Sequence, residues 1–208
     1  MMPILARHRM LYERVTIPLG KFCLLLGLTP NTLTMMSLIF GVVSAYALSQ
    51  RAFIWAILTV LLMALFDVLD GATARAGGTA NAFGTILDHT IDRYVEFLLL
   101  LGVGLSGTVS QEWVLFSLFG MVIASYVRAR AESTGLIKSC NVGFAGRLEK
   151  ITLLLSGMAL QSFFIESRFL EWIVIVCGLI SHATALQRLL CARRAIIMVL
   201  EKGDISES

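Results

Sequence analysis

Charged side chains are scarce: Asp, Glu, Lys and Arg make up 15% of the 208 residues, against about 25% in soluble domains. Apolar residues reach 57% and the mean hydropathy is +0.82, which excludes a disordered chain and exceeds what a soluble core of this size could hide. The net charge is only +3, so nothing in it points to nucleic acid. Four cysteines, Cys23, Cys140, Cys177 and Cys191, form no CxxC pair; they read as small buried hydrophobes rather than a disulfide or zinc framework. The N-terminus lacks the short apolar core and small-residue cleavage site of a signal peptide, so the chain is expected to be unprocessed. No internal repeat, low-complexity tract or linker is visible. These absences leave an integral membrane protein.

A helix needs about 20 mostly apolar residues to cross a bilayer. Six segments are predicted to do so: 33–49, 52–68, 84–105, 113–131, 151–165 and 170–190, the fifth starting near Arg147. Before them, Arg7, Arg9, Arg14 and Lys21 interleave with Leu11, Val15, Ile17, Leu19 and Phe22, the mix of a helix lying in the interface, with Pro18 kinking it. The basic residues set the orientation. Of the 17 Lys and Arg, all but Arg51 and Arg168 fall at the termini, in the second and fourth loops, or at the span ends facing them, and the positive side faces the cytoplasm. The expected architecture is all-α: an amphipathic juxtamembrane segment over 1–30, six transmembrane helices within a catalytic domain over 31–195, and a polar tail over 196–208, both termini cytoplasmic.

The stretch from Phe66 to Phe97 reads FDVLDGATARAGGTANAFGTILDHTIDRYVEF. Asp67 and Asp70 close the second span three residues apart, and Asp88 and Asp92 open the third four apart, so each pair shares a helix face. A short turn containing Gly71, Arg75, Gly77 and Gly78 is predicted between them, which makes a hairpin with four carboxylates at its cytoplasmic end. A carboxylate inside a span costs about 2.5–3.5 kcal/mol, and four together repel one another strongly. Snorkelling outward would explain one aspartate but not two matched pairs. Divalent cations resolve the repulsion, because they accept carboxylate oxygens and leave room for phosphate. Two of them about 4 Å apart would clamp a phosphoryl displacement. No His or Cys supports a softer metal, so Mg²⁺ or Mn²⁺ is expected.

These residues resemble the signature of the CDP-alcohol phosphotransferase family, D-x2-D-G-x2-A-R-x8-G-x3-D-x3-D, matched here without departure by Asp67, Asp70, Gly71, Ala74, Arg75, Gly84, Asp88 and Asp92. The chemistry agrees residue by residue. Gly71 lets a nucleotide approach the backbone, Arg75 suits phosphate, and small Ala74 and Gly84 permit close helix contact. The resemblance implies transfer of a phosphatidyl-type group from a CDP-linked lipid to an alcohol, with release of CMP. It implies Asp67, Asp70, Asp88 and Asp92 as ligands for a pair of metal ions in each active site, and Asp92 as the general base. It places the CDP group on Asn31, Asp67, Asp70, Gly71, Ala74, Arg75, Thr79 and Gly84. The Thr29-Pro30-Asn31 turn is similar to the family's TPN element; taken alone it reads as a helix cap. The resemblance also implies a homodimer.

A second cluster concerns the acceptor. SYVRARAESTG runs from Ser125 to Gly135, GRLEK from Gly146 to Lys150, and Gln187-Arg188 precedes Arg193-Arg194. Positive-inside anchoring explains Arg193 and Arg194, whereas Arg128 and Arg147 sit at inner ends of spans flanking the hairpin. Basic groups beside a polyanionic site would hold an anion bearing its own hydroxyl, such as a phosphorylated polyol. These segments are similar to the phosphatidylinositol-phosphate and archaetidylinositol-phosphate synthase branch, which implies Arg128, Arg147, Lys150 and Arg188 as the site for the phosphate of inositol 1-phosphate. Gly146, Leu148 and Lys150 depart from that branch's usual RPER-like element. Glycerol 3-phosphate is the alternative acceptor, and the lipid could carry diacylglycerol or archaeol.

Glu96 continues the acidic face one turn deeper, either orienting Arg93 or making a structural hydrogen bond. His89 is rotated about 100° from Asp88. His182 reads as an interhelical hydrogen-bonding group, and Lys138 as solvated. Gly41, Ala45, Gly102, Gly104, Gly157 and Gly178 point to tight helix packing. A cation transporter is the competing class, but 58–66 and 97–101 are nearly all apolar and offer no path onward. A structural subunit would leave the acidic faces unexplained.

Overall fold

A computed structural model of the chain describes residues 9–137 and 142–206. These form seven helices: α1 Arg9–Leu25, α2 Pro30–Ser49, α3 Phe53–Gly77, α4 Ala82–Leu105, α5 Gln111–Glu132, α6 Arg147–Phe163 and α7 Phe169–Ser206. Local chemistry sets the ends that matter for the site. Thr29 caps α2, its hydroxyl accepting from Thr32 N at 3.2 Å with Pro30 in the first turn. Asn81 caps α4, accepting from Gly84 N at 2.8 Å. Both are side-chain oxygens satisfying amides that a helix start leaves unpaired.

The α3–α4 turn is shorter than its sequence implies. Gly71 and Arg75, expected in a loop, lie inside α3, which carries two more turns past Asp70 before ending at Gly78 with φ 63°. Nothing from Gly71 to Gly77 forces a break, whereas Gly78 readily adopts the left-handed conformation that terminates a helix. Arg75 in the last turn also complements the helix dipole.

Among the described residues, four helices are long and apolar enough to cross a membrane: Pro30–Ser49, Phe53–Gly77, Gln111–Glu132 and Phe169–Val199. The other two expected spans fall short for identifiable reasons. α6 has 17 residues, and α4 carries Asp88, Asp92, Arg93 and Glu96. The expected polar tail is continuous with the last span: α7 has 38 residues, about 57 Å at 1.5 Å per residue, well beyond a hydrocarbon core of about 30 Å.

Polarity is arranged inside out. Ser37, Ser44, Thr73, Ser117 and Ser181 are buried, while Val42, Tyr46, Trp55, Leu61, Leu115, Phe119 and Leu179 are exposed. The buried hydroxyls bond locally or across helices, as Ser117 does to Val174 O at 2.6 Å and Ser44 to Thr59 at 2.9 Å. α2 packs on α3 and α4, α3 also on α1 and α6, and α5 and α6 on α7. The small residues act as expected at Gly102, where an added Cβ would stand 2.5 Å from Ala45 O, so α2 and α4 meet backbone to backbone. The core joins Leu99, Val103, Met121, Met158, Leu170 and Val174. A second, smaller cluster of Ala131, Ile137 and Ala192 seats the α5–α6 connection on α7. Cys23 and Cys177 are buried and free, as is the half-buried Cys191; Cys140, Lys138 and Arg7 lie outside the described residues.

Candidate active site

The caps of α2 and α4 and the last turns of α3 meet at one end of the bundle. Asp67, Asp70 and Asp88 each direct a carboxylate oxygen into a cluster in which all three lie within 4.8 Å of one another. Asp70 is buried and receives a hydrogen bond on Oδ2 from Thr34 Oγ1 at 2.7 Å. At 4.8 Å and an effective dielectric near 20, each pair of ionised carboxylates repels by about 3.5 kcal/mol. An all-oxygen, acid-rich donor set of this kind fits a hard divalent cation and would be costly without positive charge.

Asp92, one turn further along α4, is not in that triad. It makes an ion pair with Arg147, at the first position of α6. The same Nη1 donates to Asp67 Oδ1 at 2.5 Å, so one guanidinium joins the two carboxylate pairs. The sequence marks Arg147 for the acceptor site alone; in the fold it stands between that site and the aspartates. Its Nε and Nη2 are buried without a hydrogen-bond partner among the described residues, two donors left unmatched.

Two cavities open on either side of this junction. One, of about 600 Å³, is lined by Asn31, Thr34, Asp70, Gly71, Ala74, Arg75, Thr79, Gly84 and Asp88. It gathers every residue expected to hold CDP except Asp67, which faces Arg147. Arg75 folds back over Gly71, where a Cβ would meet its Nη1 at 3.1 Å, and a Cβ on Gly84 would lie 3.7 Å from Asn31 Oδ1. Glycine at these two positions keeps the floor open for a bulky ligand.

The other cavity, of about 650 Å³, brings together Arg128, Arg147, Lys150 and Arg188 with Asp92, Arg93 and Glu96. Arg128 pairs with Glu132 at 3.0 Å. Lys150 is 7% exposed. Arg188 donates from Nε to Val142 O at 3.0 Å and from Nη1 to Ala124 O at 2.6 Å. It therefore also ties α7 to α5 and to the α5–α6 connection, and Thr184 helps by accepting from Phe144 N at 3.3 Å. Arg193 and Arg194 do not line the cavity. His89 does, whereas His182 bonds Phe116 O at 3.1 Å between α5 and α7, the interhelical part expected of it.

Two supports of the site escape a reading of the sequence. Thr34 orients Asp70, and its signal is its place one turn after Pro30 on the capped face of α2. Ser125 accepts from Arg93 Nη1 at 2.8 Å, an α4–α5 contact that no local spacing reveals. Removal of the group orienting a metal ligand typically costs tenfold or more in affinity. Thr34→Val is accordingly expected to weaken Mn²⁺ binding about tenfold by calorimetry; unchanged affinity would make the bond purely structural.

Residues 27–197 match the model of the CDP-alcohol phosphatidyltransferase family. The archaetidylinositol phosphate synthase of Pyrococcus horikoshii is 33% identical over 182 residues, covering 86% of this chain and 92% of that protein. The phosphatidylinositol phosphate synthase of Mycobacteroides abscessus is 33% identical over 189 residues, covering 88% and 85%. Among solved structures, Mycobacterium tuberculosis phosphatidylinositol phosphate synthase with CDP-DAG bound superimposes with a TM-score of 0.76 at 29% identity, over 86% of this chain and 94% of that one. The same enzyme in complex with manganese and citrate gives 0.76 at 28% identity, over 85% and 88%. With its acidic hairpin intact and the family model spanning nearly all of its helices, this chain belongs to the CDP-alcohol phosphatidyltransferase family.

Proposed function

We propose that this protein transfers a phosphatidyl-type group from a CDP-linked lipid to a hydroxyl of inositol 1-phosphate, releasing CMP. The observation that carries this reading is the pair of cavities that divide the aspartates, one lined by Asp70 and Asp88 with the small and polar residues a nucleotide needs, the other lined by Asp92 with Arg128, Arg147, Lys150 and Arg188 on its wall. The names of the relatives point to the same acceptor. Asp67, Asp70, Asp88 and Asp92 would hold Mg²⁺ or Mn²⁺, two ions per site, whose positive charge would offset the negative charge of the diphosphate.

The chain's own groups then divide the work. Arg75 and the open backbone at Gly71 bind the nucleotide side, with Asn31 and Thr79 beside it. The basic wall fixes the acceptor's phosphate and so aims its free hydroxyl at Asp92. Asp92 takes the hydroxyl proton as the oxygen attacks the lipid-side phosphorus; a P–O bond forms there and the bond to CMP breaks. Arg147 steadies Asp92 and donates to the phosphate that lies between the cavities. Holding both reactants in register supplies much of the acceleration expected of such a site.

The site faces the cytoplasm in this reading, where CMP and a soluble acceptor exchange. Six spans, an interfacial α1, cytoplasmic termini and a homodimer complete the arrangement; Leu19, Phe22 and Leu25 exposed on α1 suit an interface. The experiment is an acceptor panel with purified protein, Mg²⁺ and a CDP-lipid. CMP release with inositol 1-phosphate is expected; release with glycerol 3-phosphate instead would overturn the acceptor while leaving the family intact. Arg188→Ala is expected to raise KM for the acceptor at least about tenfold and KM for the CDP-lipid less than about twofold, the loss of one charge-assisted contact at one cavity. Equal effects on both would mean that Arg188 serves only to tie the helices.

A further inference from the structure

The acceptor cavity contains one group that its cationic wall does not explain. Glu96 lies one turn beyond Asp92 on α4, is 6% exposed, and lines the cavity. One of its oxygens is fixed: Oε2 accepts from Arg93 Nη1 at 2.5 Å, and that same nitrogen is held by Ser125 at 2.8 Å. The other oxygen, Oε1, is buried and has no hydrogen-bond partner among the described residues. Lys150 and Arg147 of α6 are within electrostatic reach of this carboxylate without bonding it. A buried carboxylate oxygen left unmatched is costly, and the cost is removed by a donor supplied with a ligand.

The chemistry of that donor is constrained. Oε1 repels phosphate, so the anionic part of a ligand is directed to the basic residues and away from Glu96. An ammonium would add charge to a cavity that already holds Arg93, Arg128, Arg147, Lys150 and Arg188. A neutral O–H meets both conditions. We propose that Glu96 sets acceptor specificity, its Oε1 accepting a hydrogen bond from a hydroxyl of a phosphorylated polyol other than the hydroxyl that reacts. This rests on the polyol-phosphate reading above and adds to it a reason for choosing between acceptors. A ring bearing several hydroxyls can keep one on Glu96 while another reacts, whereas a short phosphorylated triol has fewer to offer.

Glu96→Gln tests this, because glutamine keeps an oxygen for Arg93 and places an amide where the accepting oxygen stood. Wild-type and E96Q proteins are compared for calorimetric binding and KM with inositol 1-phosphate and with analogues each lacking one ring hydroxyl. In the wild type, at least one analogue is expected to bind about tenfold more weakly than its parent, the scale of a hydrogen bond to a charged group. E96Q is expected to bind the parent about tenfold more weakly and to lose that discrimination to within about twofold, with KM for the CDP-lipid unchanged, as for two groups that interact directly. E96D, which withdraws the carboxylate by one methylene, is read on the same scale and serves where E96Q yields too little folded protein. Full discrimination surviving in the variants, or a loss equal for both substrates and accompanied by a lower melting temperature, overturns the role of Glu96. Failure of the wild type to bind inositol 1-phosphate overturns the acceptor reading, and this one with it; normal wild-type binding with unmoved variants overturns this one alone.

Discussion

Asp92→Asn is expected to lower kcat by about 10³-fold or more, within the range for removal of a general base, while leaving CDP-lipid affinity within about threefold. The substitution is nearly isosteric. The carboxamide oxygen could still meet Arg147, so the ion-paired neighbourhood of Asp67 is disturbed little, but an amide cannot take the proton from an attacking hydroxyl. Asp92 suits that role by position, since it lines the acceptor cavity while Asp88, one turn earlier on α4, lines the nucleotide cavity. The check is transfer of labelled lipid phosphate measured beside binding of the CDP-lipid in the same preparation. Activity within about tenfold of wild type would remove Asp92 from the chemistry.

Arg147→Ala is expected to have an effect of similar scale but with a different pattern. The guanidinium contacts Asp67 and Asp92 together, and its Nε and Nη2 have no hydrogen-bond partner among the described residues. Its loss should reduce kcat/KM about 10²–10³-fold, as deletion of a preorganised donor to a developing charge does, and should raise KM for the acceptor as well. It also leaves buried carboxylates facing one another, so the melting temperature should fall in chelator and recover in part when Mn²⁺ is added. Arg147→Lys should restore little activity, because a single ammonium does not reproduce contacts to two carboxylates and a phosphate. Full activity in Arg147→Lys, or a melting temperature indifferent to Mn²⁺, would contradict this placement.

The part of this site legible in the chain is what local spacing encodes. The pairs Asp67/Asp70 and Asp88/Asp92 announce themselves because three- and four-residue separations put them on helix faces, and the turn after Gly78 brings the faces together. Helix limits are legible where a cap or a charged boundary marks them, as at the Thr29-Pro30-Asn31 turn and at Arg147. Two stretches mislead for a physical reason. Glycine at 71 reads as a loop residue, yet the helix carries through it to a better terminator at Gly78. The polar tail reads as separate, yet no Pro or Gly stands between Gly178, well inside the last span, and Gly203 to break α7. The remainder depends on contacts distant in sequence. Thr34 reaches Asp70 from another helix, Arg147 reaches Asp67 across 80 residues, and Arg188 binds carbonyls on α5 and on the α5–α6 connection. No periodicity encodes such meetings, so a sequence marks residues of the right type without naming their partners. Arg147 shows the consequence: its charge marks it for phosphate, but only the fold shows it bound to the aspartates as well.

The most direct test is an anomalous-diffraction map from crystals of the purified protein soaked in Mn²⁺. A strong peak held by oxygens of Asp67, Asp70 and Asp88, with Asp92 beside a second, is the expected result. A cluster that takes up no Mn²⁺, or carboxylates lying too far apart to share an ion, would contradict it.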